Sequence, residues 1–117
     1  MRQLASLTFA VLLPLMPVAA SAHAMLDHAE PRVGNTVATA PHEVKLVFTQ
    51  KLEQAFSTVE VTDGSGQRVD TGKPRVDGNE MAVSVKGLAP GTYRVNWHVL
   101  SVDTHRTDGN FTFTVGK

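Results

Sequence analysis

No cysteine occurs among the 117 residues. For an exported chain this means a fold held without disulfides, and it removes thiolate as a metal ligand, leaving imidazole, amine, carboxylate and thioether. A surplus of charge of one sign is also lacking, since 11 Lys and Arg stand against 11 Asp and Glu. Such a balance argues against nucleic acid and against tight docking on an anionic lipid surface. The longest apolar run, Leu4 to Val18, falls short of a bilayer-spanning helix and is broken by Pro14 and Pro17, which argues against a retained membrane anchor.

What is present begins with an export signal. Met1-Arg2 is a short basic start, the apolar run is interrupted only by Ser6 and Thr8, and Ala19 to Ala22 are small residues. This pattern predicts a cleaved signal peptide at residues 1–22 and a mature chain at 23–117 that is exported and not membrane-embedded. A cut after Ala20-Ser21-Ala22, favoured by the Ala-rich run, makes His23 the first mature residue. Ala22-His23-Ala24 fits the cleavage pattern as well, and a cut there would expose Met25 and discard the histidine. Removing 22 of 117 residues leaves 95, enough for one domain around one core. Only Arg2 of the basic residues leaves with the signal, so the mature chain carries 10 basic against 11 acidic residues.

The mature chain reads as strand after strand. Apolar residues alternate at Val44, Leu46 and Phe48, at Val59 and Val61, and at Met81, Val83 and Val85. They do so again at Tyr93, Val95, Trp97 and Val99, and at Phe111, Phe113 and Val115. A period of two marks half-buried strands, and the last two runs are expected to carry most of the core. Turn signals separate them at Glu30-Pro31 to Asn35, Asp63 to Gly66, Asp77 to Asn79, Ala89 to Gly91 and Asp108 to Asn110. An all-β, two-layer antiparallel sandwich follows. Residues 50–56 leave room for one or two helical turns, and residues 63–79 read as two turns around a short edge strand.

Five histidines remain as candidates for chemistry. A histidine on an exposed strand face or loop is ordinarily a solvated polar residue, and His28 and His42 are read so. His98, on the polar face of the Trp97 strand, is a candidate neighbour of any site at that end of the domain. His23 and His105 differ by position. A terminal histidine offers its α-amine and its ring Nδ1 to one ion. Ser101-Val102-Asp103-Thr104-His105 supplies a carboxylate and an imidazole two positions apart, on one side of an extended backbone. Ser101 and Thr104 are ordinary turn formers, and Asp103 could equally cap its own turn. If the amino terminus reaches this loop, amine, two imidazoles and a carboxylate suit one tetragonal Cu(II), with zinc the nearest competitor. A thioether site for copper(I) is not supported, because Met81 alternates with core valines and Met25 is expected to face the core.

Over essentially its whole mature length the chain resembles the CopC family of periplasmic copper-resistance proteins. The resemblance rests on His23, on Glu30-Pro31 with Gly34, on Pro41-His42-Glu43-Val44-Lys45-Leu46-Val47-Phe48 and on Gly91-Thr92-Tyr93-Arg94-Val95-Asn96-Trp97. It continues in Ser101-Val102-Asp103-Thr104-His105 and Gly109-Asn110-Phe111-Thr112-Phe113. It implies a single Ig-like Greek-key sandwich or barrel of about seven strands. It also implies cupric ligands at His23, Asp103 and His105, and a CopD-type inner-membrane partner. Two departures stand out. Residues 63–79 hold no methionine, where some members carry a methionine-rich copper(I) loop. Gln50 follows Phe48-Thr49 where a glutamate is frequent, and an amide can orient a ligand but adds no charge.

The expected function is a periplasmic copper(II) carrier or buffer in copper homeostasis or resistance, not an enzyme, holding one ion per chain. The alternatives are a histidine-brace copper monooxygenase, against which Asp103 would fill the open position that oxygen needs, and a metal-free sandwich module for protein contact.

Overall fold

Alternation along the chain settles which residues face inward. The computed structural model describes residues 24–117. In β7 (Gly91–Leu100), Tyr93, Val95, Trp97 and Val99 are buried while Arg94 and His98 are exposed; in β8 (Arg106–Val115), Phe111, Phe113 and Val115 are buried. The same period places Val44, Leu46 and Phe48 of β3 (Glu43–Phe48) inside, with Val59 and Val61 of β4 (Thr58–Thr62) and Met81, Val83 and Val85 of β6 (Glu80–Val85). β1 (Leu26–Glu30), β2 (Thr36–Val37) and β5 (Asp70–Asp77) complete the strands. Among the described residues the helical content is one 3-10 turn, Gln54–Phe56.

The strands form two four-stranded sheets, ordered β1-β3-β6-β5 and β2-β8-β7-β4, and the chain passes between them in the manner of a Greek-key sandwich. Eight strands stand where about seven were expected. The addition is the two-residue β2, which pairs with β8 in parallel, while every other strand pairing is antiparallel. β5 also departs from expectation. It is an eight-residue edge strand whose register with β6 breaks between Thr71 and Arg75, where Gly72 takes φ +72° and Lys73-Pro74 follows. An edge tolerates proline there because a missing N–H costs no ladder bond.

The inward faces meet in one apolar cluster drawn from both sheets. Phe48 of one sheet packs edge-on against Trp97 of the other, with ring centroids 5.1 Å apart at 76°. Tyr93 stacks on Phe113 and its hydroxyl donates to the Ala89 carbonyl at 2.6 Å. The two longest strands run in unbroken register from Gly91 opposite Val115 to Leu100 opposite Arg106. That pairing makes the connection between them a rigidly mounted loop at one end of the sandwich.

Candidate metal centre

Residues 101–105 join β7 to β8, and Ser101 at the start of this loop is fully buried. Its N–H donates to the His105 carbonyl at 3.0 Å, closing the hairpin. Its hydroxyl donates to Oδ1 of Asp103 and also reaches the His105 carbonyl, at 3.2 Å. Thr104 turns the chain with φ +71°, a left-handed conformation uncommon for a residue other than glycine, and its N–H donates to the Ser101 carbonyl at 2.9 Å. Val102 N–H donates to the Lys51 carbonyl at 3.0 Å, fastening the loop to the segment after β3.

This loop brings Oδ2 of Asp103 to 3.3 Å from Nδ1 of His105, with both side chains partly open to solvent. The two meet as the sequence led one to expect, but for a different reason. The backbone between them is a tight turn, not the extended stretch that places i and i+2 on one side. The cap reading of Asp103 also holds, because its carboxylate draws on the His105 backbone N–H as well as on the ring. The Ser101 hydroxyl, assisted by the His105 ring and backbone against some loss of hydration, holds the Asp103 carboxyl below its ordinary range. A carboxylate so held is ready to accept a cation.

The first described residue, Ala24, is buried at the same end. Its carbonyl accepts a hydrogen bond from Thr107 Oγ1 at 2.8 Å, two residues beyond His105. Met25 N–H donates to Thr49 Oγ1 at 3.0 Å, and Thr49 N–H returns a bond to the Met25 carbonyl at 2.9 Å. His23 and the expected cleavage point lie outside the described residues. Among the described residues no three His, Asp or Glu side chains converge, so Asp103 and His105 stand as a pair.

The remaining candidates sort by face. His98 lies on the outward side of β7, opposite in parity to buried Val99 and Ser101, with Nδ1 4.0 Å from Oδ2 of Asp108. Strand alternation turns it away from the side that Ser101 and His105 share. His28 pairs with its neighbour Asp27 at 2.7 Å, and exposed His42 contributes only its carbonyl, to Val85 N–H at 3.0 Å. Met81 is buried as expected, but Met25 is not: it is 53% exposed, next to fully buried Ala24. Gln50 is half-buried. Sequence reasoning passed over Thr49 and Thr107 and took Ser101 for a plain turn former. The one available signal was the spacing of Thr107, two residues after His105.

Comparison with known proteins agrees with this architecture. The CopC domain model matches residues 26–116. Protein YobA of Escherichia coli strain K12 is 37% identical over 98 residues, covering 80% of this chain and 79% of that protein. Copper resistance protein C of Xanthomonas campestris pv. juglandis is 34% identical over 123 residues, covering 97% and 96%. The crystal structure of CopC from Methylosinus trichosporium OB3b superposes with a TM-score of 0.75 at 33% identity, over 80% of this chain and 94% of that one. With the family's domain spanning the sandwich from β1 to the end of β8, the chain belongs to the CopC family.

Proposed function

We propose that the protein is a periplasmic copper(II) carrier or buffer. On this reading residues 1–22 are removed on export, and the new terminus supplies the α-amine and ring of His23 to one ion that Asp103 and His105 also hold. The supporting observation is the bond from Thr107 to the Ala24 carbonyl. His23 is joined to Ala24 by one peptide unit, about 3.8 Å from Cα to Cα, and Thr107 is two residues from His105. A terminal histidine therefore needs little chain to reach the Asp103 and His105 pair.

The donor set fits the cargo. Amine, two imidazoles and a carboxylate form the N,O environment that the cupric ion prefers, and no thiolate or exposed thioether cluster competes for the cuprous state. The copper resistance protein among the relatives agrees with copper as the ion handled. A carrier of this kind delivers to a membrane protein of the CopD type. Amine and imidazoles must lose protons to coordinate, with ordinary pKa values of about 7.7–8.0 and about 6.5, so retention weakens from pH 8 to pH 5.

The test is intact-mass measurement of the exported protein with and without one equivalent of copper(II). A chain beginning at His23 that retains one ion supports the proposal. A chain beginning at Met25, or one retaining no copper, refutes it.

A further inference from the structure

We propose that Thr107 is a positioning residue whose hydroxyl, together with that of Thr49, clamps the backbone next to His23 so that the terminal ligands arrive already ordered. The inference deepens the copper reading and rests on it.

Three backbone groups of Ala24 and Met25 are engaged before β1 begins at Leu26: the Ala24 carbonyl by Thr107 Oγ1, Met25 N–H by Thr49 Oγ1, and the Met25 carbonyl by Thr49 N–H. Thr107 belongs to β8 of one sheet, whereas Thr49 follows β3 of the other. The segment is thus held from both layers of the sandwich. Its side chains show that backbone is what is gripped, for Ala24 is buried but Met25 projects into solvent. Valine would fill the same space at position 107, so what threonine adds is the hydroxyl, and its partner is the Ala24 carbonyl. The strand that carries the clamp begins one residue after His105, so ligand and clamp move as one body. Fixing a terminus before it binds removes the ordering cost that a free end would otherwise meet on coordination.

The experiment uses the mature chain beginning at His23, with Thr107→Val and Thr107→Ser. In the metal-free protein, amide exchange of Met25 and Thr49 in the valine variant is expected to speed up about three- to tenfold, the worth of one neutral hydrogen bond, with β7 amides unchanged. Competition titration should weaken copper(II) retention by a similar factor. The serine variant, which keeps the hydroxyl, should restore both. In a chain beginning at Ala24 with its terminus acetylated, so that no α-amine is offered, Thr107→Val should leave the residual affinity of Asp103 and His105 within twofold. Unaltered exchange in the valine variant, or an equal affinity loss in the chain lacking His23, overturns the proposal. A wild type that retains no copper would instead overturn the copper reading, and the metal-free exchange would still decide whether the clamp exists.

Discussion

The buried hydroxyl of Ser101 donates to the carboxylate of Asp103 across a turn that also sets Asp103 against His105. One carboxylate oxygen is therefore oriented from inside the protein while the other faces the imidazole. Ser101→Ala removes that donor but leaves the Ser101 N–H bond to His105, so the hairpin survives. The Asp103 carboxyl should then titrate closer to the ordinary range in the metal-free protein, followed by carboxyl chemical shift. Copper(II) affinity should fall about three- to tenfold. An unchanged Asp103 titration would show that the serine merely fills space.

His105 and His98 lie seven residues apart on one hairpin but on opposite faces of it. If copper binds on the His105 side, His105→Ala should weaken retention by more than the roughly 10–100-fold that loss of a group supporting a ligand costs. His98→Ala should stay within about twofold, since its nearest acid, Asp108, is on the outer face. Electron paramagnetic resonance of the copper-loaded variants checks both. A changed nitrogen hyperfine pattern in His98→Ala would place the ion on the wrong face.

Strand positions and the inward set were legible because burial repeats every second residue, and Val95, Trp97, Phe111 and Phe113 are buried as the alternation required. The convergence of Asp103 with His105 was legible as a pairing but not as a geometry. Thr104 gives no sign in the sequence of a left-handed backbone. Met25 was misassigned because its apolar character predicts burial, whereas it is Ala24 beside it that faces inward. The role of Thr107 escaped notice because its partner, Ala24, comes from the far end of the chain, and Ser101 was read only as a turn former because its bonds to Asp103 and His105 exist only once the turn has closed. A single hydroxyl has no periodicity by which its role could be read. β2 was missed because two residues are too few to show a period.

Gly109 lies opposite Trp97, and a Cβ there would fall within contact distance of Trp97 Cζ2 and stand 2.8 Å from Cε2. The indole cannot easily yield, because Phe48 packs edge-on against it from the facing sheet. Gly109→Ala should therefore cost about 1–3 kcal/mol of stability and change the near-ultraviolet signal of the single tryptophan. Urea unfolding followed by tryptophan fluorescence measures the loss. A variant as stable as the wild type, with the same spectrum, would mean that the strand pair gives way at no cost.

Asp70 opens β5 with a side chain only 3% exposed. Burial by itself raises its carboxyl, but the Arg68 guanidinium at 2.7 Å from Oδ2 and the Val61 N–H at 2.8 Å from Oδ1 outweigh that effect and hold it below the ordinary range. A carboxyl whose folded pKa is depressed stabilises the fold fully above its unfolded value, and that contribution disappears as pH falls through the folded value. Asp70→Asn abolishes the charge at nearly constant size, so the variant should be less stable than the wild type by about 1 kcal/mol at pH 7, after allowance for the largely exposed guanidinium. The gap should close as pH falls below the ordinary carboxylate value of about 3.9, because the wild type gives up this contribution in acid and the amide has none to lose. Urea midpoints of both proteins followed into acid provide the comparison. A gap that stays constant into acid would mean that Asp70 joins β4 to β5 through hydrogen bonding that does not depend on its charge.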